Sequence, residues 1–176
     1  MVGLVISDTF LLTGNWQDDA EGSLTVSDVT QIQFTEPITP FLHNEAELNA
    51  ILASTLRKAK EVNSFAGQDI VIGLPDSFVE HSIVKMEHDL SRDDHEEFIK
   101  WLDIQKRRSK DQSVYIFGQV YYPAEENIHV CTVSRALVRT LKLSITEMGG
   151  NARWMGPVSS MYLDGSGMSE AAMIHR

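Results

Sequence analysis

Cysteine is almost absent from this sequence: its 176 residues contain a single one, Cys131. One thiol can form neither an intrachain disulfide nor a CxxC metal motif, which excludes a disulfide-stapled secreted domain and a cysteine-rich zinc site. Cys131 lies in the apolar run Ile128–Val133, where a buried, unreactive thiol is expected and a nucleophile is not. The composition therefore indicates a protein of a reducing compartment.

Long apolar runs and concentrated positive charge are lacking as well. No stretch approaches the ~20 apolar residues of a membrane helix, and the N-terminal Met1–Asp8 has no basic segment of the kind that starts a signal peptide. The formal net charge is −10, and the one basic cluster, Lys106–Lys110, suits a helix C-terminus. We therefore expect no direct membrane insertion and no nucleic-acid partner, because phosphate binding needs a concentrated basic face.

Catalytic and metal-binding patterns do not stand out either. His81, His88 and His95 fall on a predicted strand, a loop and a helix start, so no regular element brings them together. Ser77 and Ser134 lack the G-x-S-x-G elbow of a serine hydrolase. Adjacent carboxylates point apart on a helix or a strand and do not form an acid–base pair. We expect no catalytic residue and no metal site.

The first half of the chain carries the clearest secondary-structure signals. Asn44 followed by Glu47 is a capping-box pattern, and apolar residues at helical spacing continue it to Glu61. The apolar run Asp69–Leu74, stopped by Pro75, is typical of a strand buried on both faces. Three strands are predicted before the helix that Asn44 caps, at Val2–Ser7, Phe10–Trp16 and Ser23–Phe34. Asp8-Thr9 is expected to form a tight hairpin between the first two strands, and a bend is expected near Asp28.

The second half predicts a smaller α+β unit. A strand over Phe78–Met86 precedes a helix over Leu90–Lys106, and a hairpin follows with strands Ser113–Tyr122 and Ile128–Val133. Ser134 is expected to cap a last helix that Gly149-Gly150 stops, and Ala171–His175 begins one more strand. The element order predicts a mixed α/β fold with a largely antiparallel sheet and not a doubly wound sheet.

Taken together, these elements resemble the PilM-type actin-like ATPases of type IV pilus assembly, which are related to FtsA and to the cytoplasmic part of the type II secretion L protein. The resemblance spans residues 2–155. It is carried by the strand pair that turns at Asp8, the segment Asp69–Phe78 (DIVIGLPDSF), the acidic helix with Trp101, and the hairpin and helix that end in Gly-Gly. It implies an actin-like ATPase N-terminal lobe with a small inserted α+β subdomain.

The resemblance also implies a domain organisation and a function. An actin-like subdomain would comprise residues 1–77 and 130–160, an inserted α+β subdomain 78–129, and a further element or tail 161–176. The function implied is that of a cytoplasmic scaffold, not an enzyme. It would lie at the inner-membrane face and dock a cytoplasmic peptide of an inner-membrane pilus or secretion assembly protein, by groove binding or strand addition. Self-association is left open, and this function needs no cofactor.

This sequence departs from the family's pattern at the first phosphate loop. Asp8 is kept, but Phe10 stands where a glycine lets backbone N–H groups approach a phosphate. Asp164-Gly165-Ser166-Gly167 is either a second phosphate loop or a polar turn. Two alternatives therefore stand beside the scaffold. One is the first half of an actin-like ATP-binding protein, with Asp8, Asp164, Gly165 and Gly167 at the Mg-ATP. The other is an unrelated small α+β domain.

Overall fold

A computed structural model describes residues 1–18, 24–85, 114–122 and 127–158, together with the helical positions Asp94, Glu97, Phe98 and Trp101. The side chains of Asp18, Leu24, 114–122 and 127–129 are outside that description. The regular elements are β1 Val2–Ile6, β2 Phe10–Asp18, β3 Leu24–Gln33, α1 Glu45–Val62, β4 Asp69–Leu74, β5 Val79–Lys85, β6 Val114–Tyr122, β7 Asn127–Ser134, α2 Arg135–Glu147 and β8 Asn151–Pro157, with 3-10 turns at Thr39–Phe41 and Asp76–Phe78.

The described strands form two sheets. The larger has the order β3-β2-β1-β4-β8, in which β1–β2 and β2–β3 are antiparallel while β1–β4 and β4–β8 are parallel. The smaller has the order β5-β7-β6 and is antiparallel throughout. Four of these six pairings are antiparallel, so the predicted mixed α/β fold with a largely antiparallel sheet is confirmed.

Helix α1 begins where the sequence predicts it. The Asn44 side chain accepts hydrogen bonds from the backbone N–H groups of Ala46 and Glu47, at 3.2 and 3.3 Å, and so satisfies two donors of the first turn. Its apolar stripe is buried against the sheet. The stripe consists of Leu48, Ile51, Leu52, Thr55, Leu56 and Ala59.

The N-terminus of α2 differs from its prediction. Ser134 occupies the N-cap position, but its side chain makes no capping bond, because its hydroxyl donates to the carbonyl of Leu42 in the loop before α1. The sequence could not show this, since the two residues meet only in the folded chain. The C-terminus of α2 agrees with its prediction, because Gly149 has a φ of +85° and ends the helix.

Helices α1 and α2 pack side by side on the same face of the larger sheet and form the core with it. Alternate residues of the strands point into this core, because side chains alternate between the faces of a strand. They are buried almost completely, as are the helix residues opposite them. The core includes Val2, Leu4, Ile6, Leu11, Ile70, Ile72, Leu74, Leu137, Leu141, Ile145 and Met155.

Strand β8 was not predicted from the sequence. It pairs in parallel with β4, and this extends the larger sheet by one strand at residues that the sequence presents only as an apolar piece after Gly150. Other expectations lie outside the described residues: most of the helix Leu90–Lys106, the strand Ala171–His175 and the tail 161–176. The division at residues 77 and 130 stays a prediction. No helix among the described residues is long and apolar enough to cross a membrane.

Candidate functional site

Asp8 lies at the carboxyl end of β1, in the turn that leads to β2. The turn is closed by a hydrogen bond from the Ser7 N–H to the Phe10 carbonyl, at 2.8 Å. The Asp8 carboxylate accepts from the backbone N–H and the hydroxyl of Thr39, at 2.9 and 2.6 Å, and its carbonyl accepts from the Ile38 N–H at 2.9 Å. Asp8 therefore holds the 3-10 turn at Thr39–Phe41 against the end of β1.

These contacts change the acidity of Asp8. The Thr39 hydroxyl, and then the Thr39 backbone N–H, stabilise the carboxylate and lower the pKa of Asp8 below its ordinary value. A lowered pKa in the folded state contributes stability above the ordinary pKa of an aspartate, and this contribution is lost as the pH falls through the lowered pKa.

We expect Asp8→Ala to lower the free energy of unfolding by about 0.5–2 kcal/mol at pH 7, as for the loss of a side-chain cap, and near the lower limit because the carboxylate is solvated. The difference between wild type and variant should shrink when the pH falls below the ordinary pKa of an aspartate. Urea unfolding at pH 7 and at pH 3 measures this. Asp8→Asn is the control that keeps an acceptor oxygen; a deficit independent of pH would contradict the role of the charge.

The turn at Asp8 also bears on the phosphate-loop hypothesis. Among the described residues, φ is positive only at Asp28, Gly67 and Gly149, and none of these lies in the turn. Concave arrangements of N–H groups that bind phosphates commonly need a residue in that conformation. Asp164, Gly165 and Gly167 lie outside the described residues. Whether they meet Asp8 at a nucleotide therefore stays a prediction.

Cys131 and His81 face each other on β7 and β5, with Sγ 3.3 Å from Nδ1. Burial, and secondarily the negative charge of Asp76, raise the pKa of the Cys131 thiol. A raised pKa opposes thiolate formation, so the predicted buried, unreactive thiol agrees with this environment. In the part of the chain that is described, no three histidine, cysteine or acidic side chains are placed to hold a metal ion; His88 and His95 are outside that part.

The edge strands of the two sheets differ in whether a β-bulge interrupts them. Three of the four edge strands of the described sheets carry an extra residue that shifts the register against the neighbouring strand: Asp28 on β3, Gly118 on β6 and Arg153 on β8. Such bulges bend an edge and interrupt its ladder, and they protect exposed edges from pairing with other chains. Strand β5 keeps a regular register with β7 over all seven of its residues.

The β5 edge, defined as the outer side of Val79–Lys85, is therefore the candidate functional site. No described strand pairs with this side. Its exposed apolar residue is Ile83, at 72% exposure, more than any other large hydrophobic side chain among the described residues. Val79 and Val84 are buried and fix the strand to the molecule. The sequence shows the strand, but it shows no signal that this strand is an edge.

Comparisons with known proteins place the fold. No protein-family model matches the chain, and no curated protein matches it in sequence. The PilM–PilN type IV pilus biogenesis complex is similar in structure over 94% of this chain and 50% of that one, with 15% identity and a TM-score of 0.66. The cytoplasmic domain of EpsL, an inner-membrane component of the type II secretion system of Vibrio cholerae, matches over 89% and 56%, with 16% identity and a TM-score of 0.58.

A third solved structure names the fold itself. It is a protein of unknown function from Bacteroides thetaiotaomicron with an actin-like ATPase fold, matched over 94% of this chain and 54% of that one, with 8% identity and a TM-score of 0.50. The chain has an actin-like fold. The predicted resemblance to PilM-type proteins is thereby confirmed at the level of the fold. The actin-like chain spans about half of the length of these solved structures.

Proposed function

We propose that this actin-like chain is a scaffold domain that docks an extended segment of an inner-membrane protein in an assembly apparatus of the type IV pilus or type II secretion kind. The observation that carries the proposal is the regular β5 edge, the one sheet edge without a bulge in the described chain. The fold supports it, because the solved structures that share it include a PilM–PilN complex and the EpsL cytoplasmic domain.

Strand addition is the mode of docking that suits this edge. An extended segment beside β5 would exchange backbone hydrogen bonds with its outer side, and these bonds give affinity with little sequence preference. Side chains of the added strand would lie next to those of β5 on the same face. Ile83 would then contact an apolar side chain of the partner and provide the specificity that backbone bonds lack.

The charge of the chain indicates the kind of segment that would bind. The formal net charge is −10, so the field around the molecule attracts cations. Cytoplasmic segments of inner-membrane proteins carry an excess of Lys and Arg. The proposed partner segment is therefore extended and basic with an apolar residue at the centre, and the chain works as a cytoplasmic protein held at the inner-membrane face by that partner.

Peptide titration tests the proposal. Fluorescent cytoplasmic peptides of the inner-membrane pilus and secretion proteins from the same genome are titrated with the chain and with Ile83→Lys. We expect one peptide to bind and its affinity to fall at least about tenfold in Ile83→Lys, as for a residue at the centre of an interface. Leu143→Lys, at an exposed leucine on α2, is the matched control and should bind as wild type does.

Hydrogen exchange locates the bound peptide independently of any substitution. Amides of β5 should exchange more slowly in the complex, because outward N–H groups become hydrogen-bonded on strand addition. Two results would overturn the proposal: no peptide of the set binds, or one binds with equal affinity to Ile83→Lys and leaves exchange in β5 unchanged.

A second candidate is the first half of an actin-like ATP-binding protein. One observation favours it: Asp8 lies at the carboxyl end of β1, beside the parallel strand β4, and ligands of α/β sheets bind at such ends. Asp8 would then act with Asp164, Gly165 and Gly167 on Mg-ATP. Calorimetric binding in the micromolar range that is lost in Asp8→Ala would make this the leading function. No heat at millimolar nucleotide would favour the scaffold.

A further inference from the structure

Charge is distributed unevenly over this chain. Its formal net charge is −10, from 15 Lys and Arg against 25 Asp and Glu. Helices α1 and α2 together carry six Lys or Arg and four Glu, which gives them a net charge of +2. The layer of helices on the larger sheet is therefore positive, although the molecule as a whole is negative. The basic residues of this layer are Arg57, Lys58, Lys60, Arg135, Arg139 and Lys142.

Half of these basic residues form one stripe along α2. Arg135, Arg139 and Lys142 are four and then three residues apart, so they lie on one side of the helix within about 11 Å of its length. The buried residues of α2 occupy the opposite side. Arg135 and Arg139 are exposed, Lys142 is half-buried, and the neighbouring Leu143 is 52% exposed. Arg135, Arg139 and Lys142 are called here the basic stripe.

The stability of α2 does not account for the basic stripe. The N-terminal end of a helix is partially positive and favours acidic residues, while the C-terminal end favours basic ones. Helix α1 follows this rule, with Glu45 and Glu47 in its first turn and Lys60 in its last. Helix α2 has the reverse order: it begins at Arg135, has no acidic residue in its first turn and no basic residue in its last, and ends at Glu147. The charges of α2 therefore oppose its dipole, and an anion bound to the stripe would compensate them.

Glu45 of α1 neutralises part of the charge on the stripe. Its carboxylate lies 3.6 Å from a guanidinium nitrogen of Arg139, and the side chains of Arg139 and Glu45 are 63% and 48% exposed. An ion pair this exposed is weak, because water and salt screen it and two long side chains have to be held in one geometry. A carboxylate that contacts Arg139 through two guanidinium nitrogens at once would bind more strongly. The pair with Glu45 therefore leaves Arg139 available to an anionic ligand.

We propose that the basic stripe binds an acidic segment of a partner protein, in which carboxylates about one helical turn apart face the three basic residues. The planar guanidinium of an arginine binds a carboxylate with two hydrogen bonds and so fixes its orientation. An apolar side chain beside these carboxylates would contact Leu143 and exclude water from the charged pairs. The charges that select the segment lie on the stripe itself, because at physiological salt exposed charges farther than about 8 Å away are largely screened.

A narrow segment suits this surface better than a flat anionic membrane does. A membrane would approach the whole layer of helices and would be repelled by its exposed carboxylates, among them Glu45, Glu61 and Glu147. The stripe extends over two turns of α2, from Arg135 to Lys142, and ends before Glu147. A segment that follows α2 over these two turns would contact the stripe and Leu143. The partner segment is therefore short as well as acidic.

The basic stripe and the β5 edge lie on different elements and would bind segments of opposite charge, so the inference goes beyond the proposed function. A chain with both surfaces would join two partner segments, a basic one at β5 and an acidic one at α2. The two inferences are tested with different probes and different variants. Failure of one leaves the other standing.

The probe is a labelled synthetic helix of about 18 residues, or roughly five turns, with Glu at intervals of three and four residues and Leu beside them. Fluorescence anisotropy should show binding that weakens as salt is added. The affinity should fall at least about tenfold in the double variant Arg135→Gln with Lys142→Gln, which leaves the pair of Arg139 with Glu45 in place. Because the loss of Arg135 removes a charge that opposes the helix dipole, this variant should unfold at the temperature of wild type or above it.

Two controls separate the stripe from positive charge in general. Arg57→Gln with Lys58→Gln removes the same charge from exposed residues of α1 and should bind the probe as wild type does. A probe with Gln in place of Glu should bind at least about tenfold more weakly. The proposal is overturned if the Glu probe does not bind, if the Gln probe or the stripe variant binds equally well, or if the two double variants lose the same affinity.

Two further measurements distinguish other occupants of the stripe. Vesicles of phosphatidylglycerol test an anionic membrane, and sedimentation of the free chain tests a second copy. We expect wild type and the stripe variant to bind the vesicles equally weakly, and the free chain to sediment as a monomer. Vesicle binding that is tighter than probe binding and is lost in the stripe variant would overturn the proposal, as would a dimer that the stripe variant dissociates.

Discussion

Replacing Ile72 by alanine is expected to lower the free energy of unfolding by about 2–5 kcal/mol, the usual loss when a buried isoleucine leaves a cavity. Ile72 is completely buried in β4, an inner strand of the larger sheet, between Leu4 of β1 and Met155 of β8. Both neighbours are fixed in parallel ladders, so the strands cannot close around the missing atoms. Urea unfolding followed by circular dichroism measures the change.

The same substitution at Ile83 is the matched control. Ile83 lies on a strand as Ile72 does, but it is 72% exposed, so Ile83→Ala should change the free energy of unfolding by no more than about 0.5 kcal/mol. Equal losses at the two positions would contradict both the burial of Ile72 and the exposure of Ile83 on the β5 edge. Any effect of Ile83 on peptide binding can then be assigned to the interface and not to the fold.

Replacing Asn63 by alanine is expected to cost about 1–3 kcal/mol, because it leaves buried polar groups without partners. Asn63 follows α1 and is 1% exposed. Its side-chain N–H groups donate to the Thr13 hydroxyl at 3.1 Å and to the Asp28 carbonyl at 3.3 Å, and its oxygen accepts from Asn15 at 2.6 Å. One amide therefore joins the end of α1 to the bulge of β3.

A double-mutant cycle tests whether these residues act as one network. The combined variant Asn15→Ala with Asn63→Ala should lose less stability than the sum of the single variants, with a coupling of about 0.5–3 kcal/mol. Asn44→Ala, which removes an exposed cap at the other end of α1, provides the comparison and should be additive with Asn63→Ala. Additivity between Asn15 and Asn63 would show that the amide bridge contributes nothing.

The fold could be predicted to a considerable extent because its signals are local. Asn44 before an apolar stripe places the start of α1, and Gly149 places the end of α2, where a positive φ is needed. The unbroken apolar run places β4, but the predicted burial on both faces holds only in part: Ile70, Ile72 and Leu74 are buried, whereas Val71 between them keeps partial exposure. Strand β8 escaped prediction because its residues Asn151–Pro157 combine exposed polar side chains, an indole and a glycine, and its pairing with β4 depends on the packing of α2.

The candidate site could be predicted less well, for a physical reason. Which strand becomes an edge, and whether a bulge interrupts it, depends on the neighbours it acquires in the folded sheet. Gly118 within a strand is a signal for a bulge, but Asp28 gives only a bend and Arg153 gives no signal. Ser134 shows the same limit, since its hydroxyl bonds to Leu42 and not to its own helix.

The sequence by itself determined the mixed α/β class, the elements of the first half, the buried thiol of Cys131 and the resemblance that the actin-like fold confirms. These follow from periodicity, capping residues and glycine positions, which act over a few residues. Only the tertiary structure decided that Asp8 bonds to Thr39 and that β5 is the regular edge. Each of these depends on contacts between residues far apart in the chain, which no local pattern specifies.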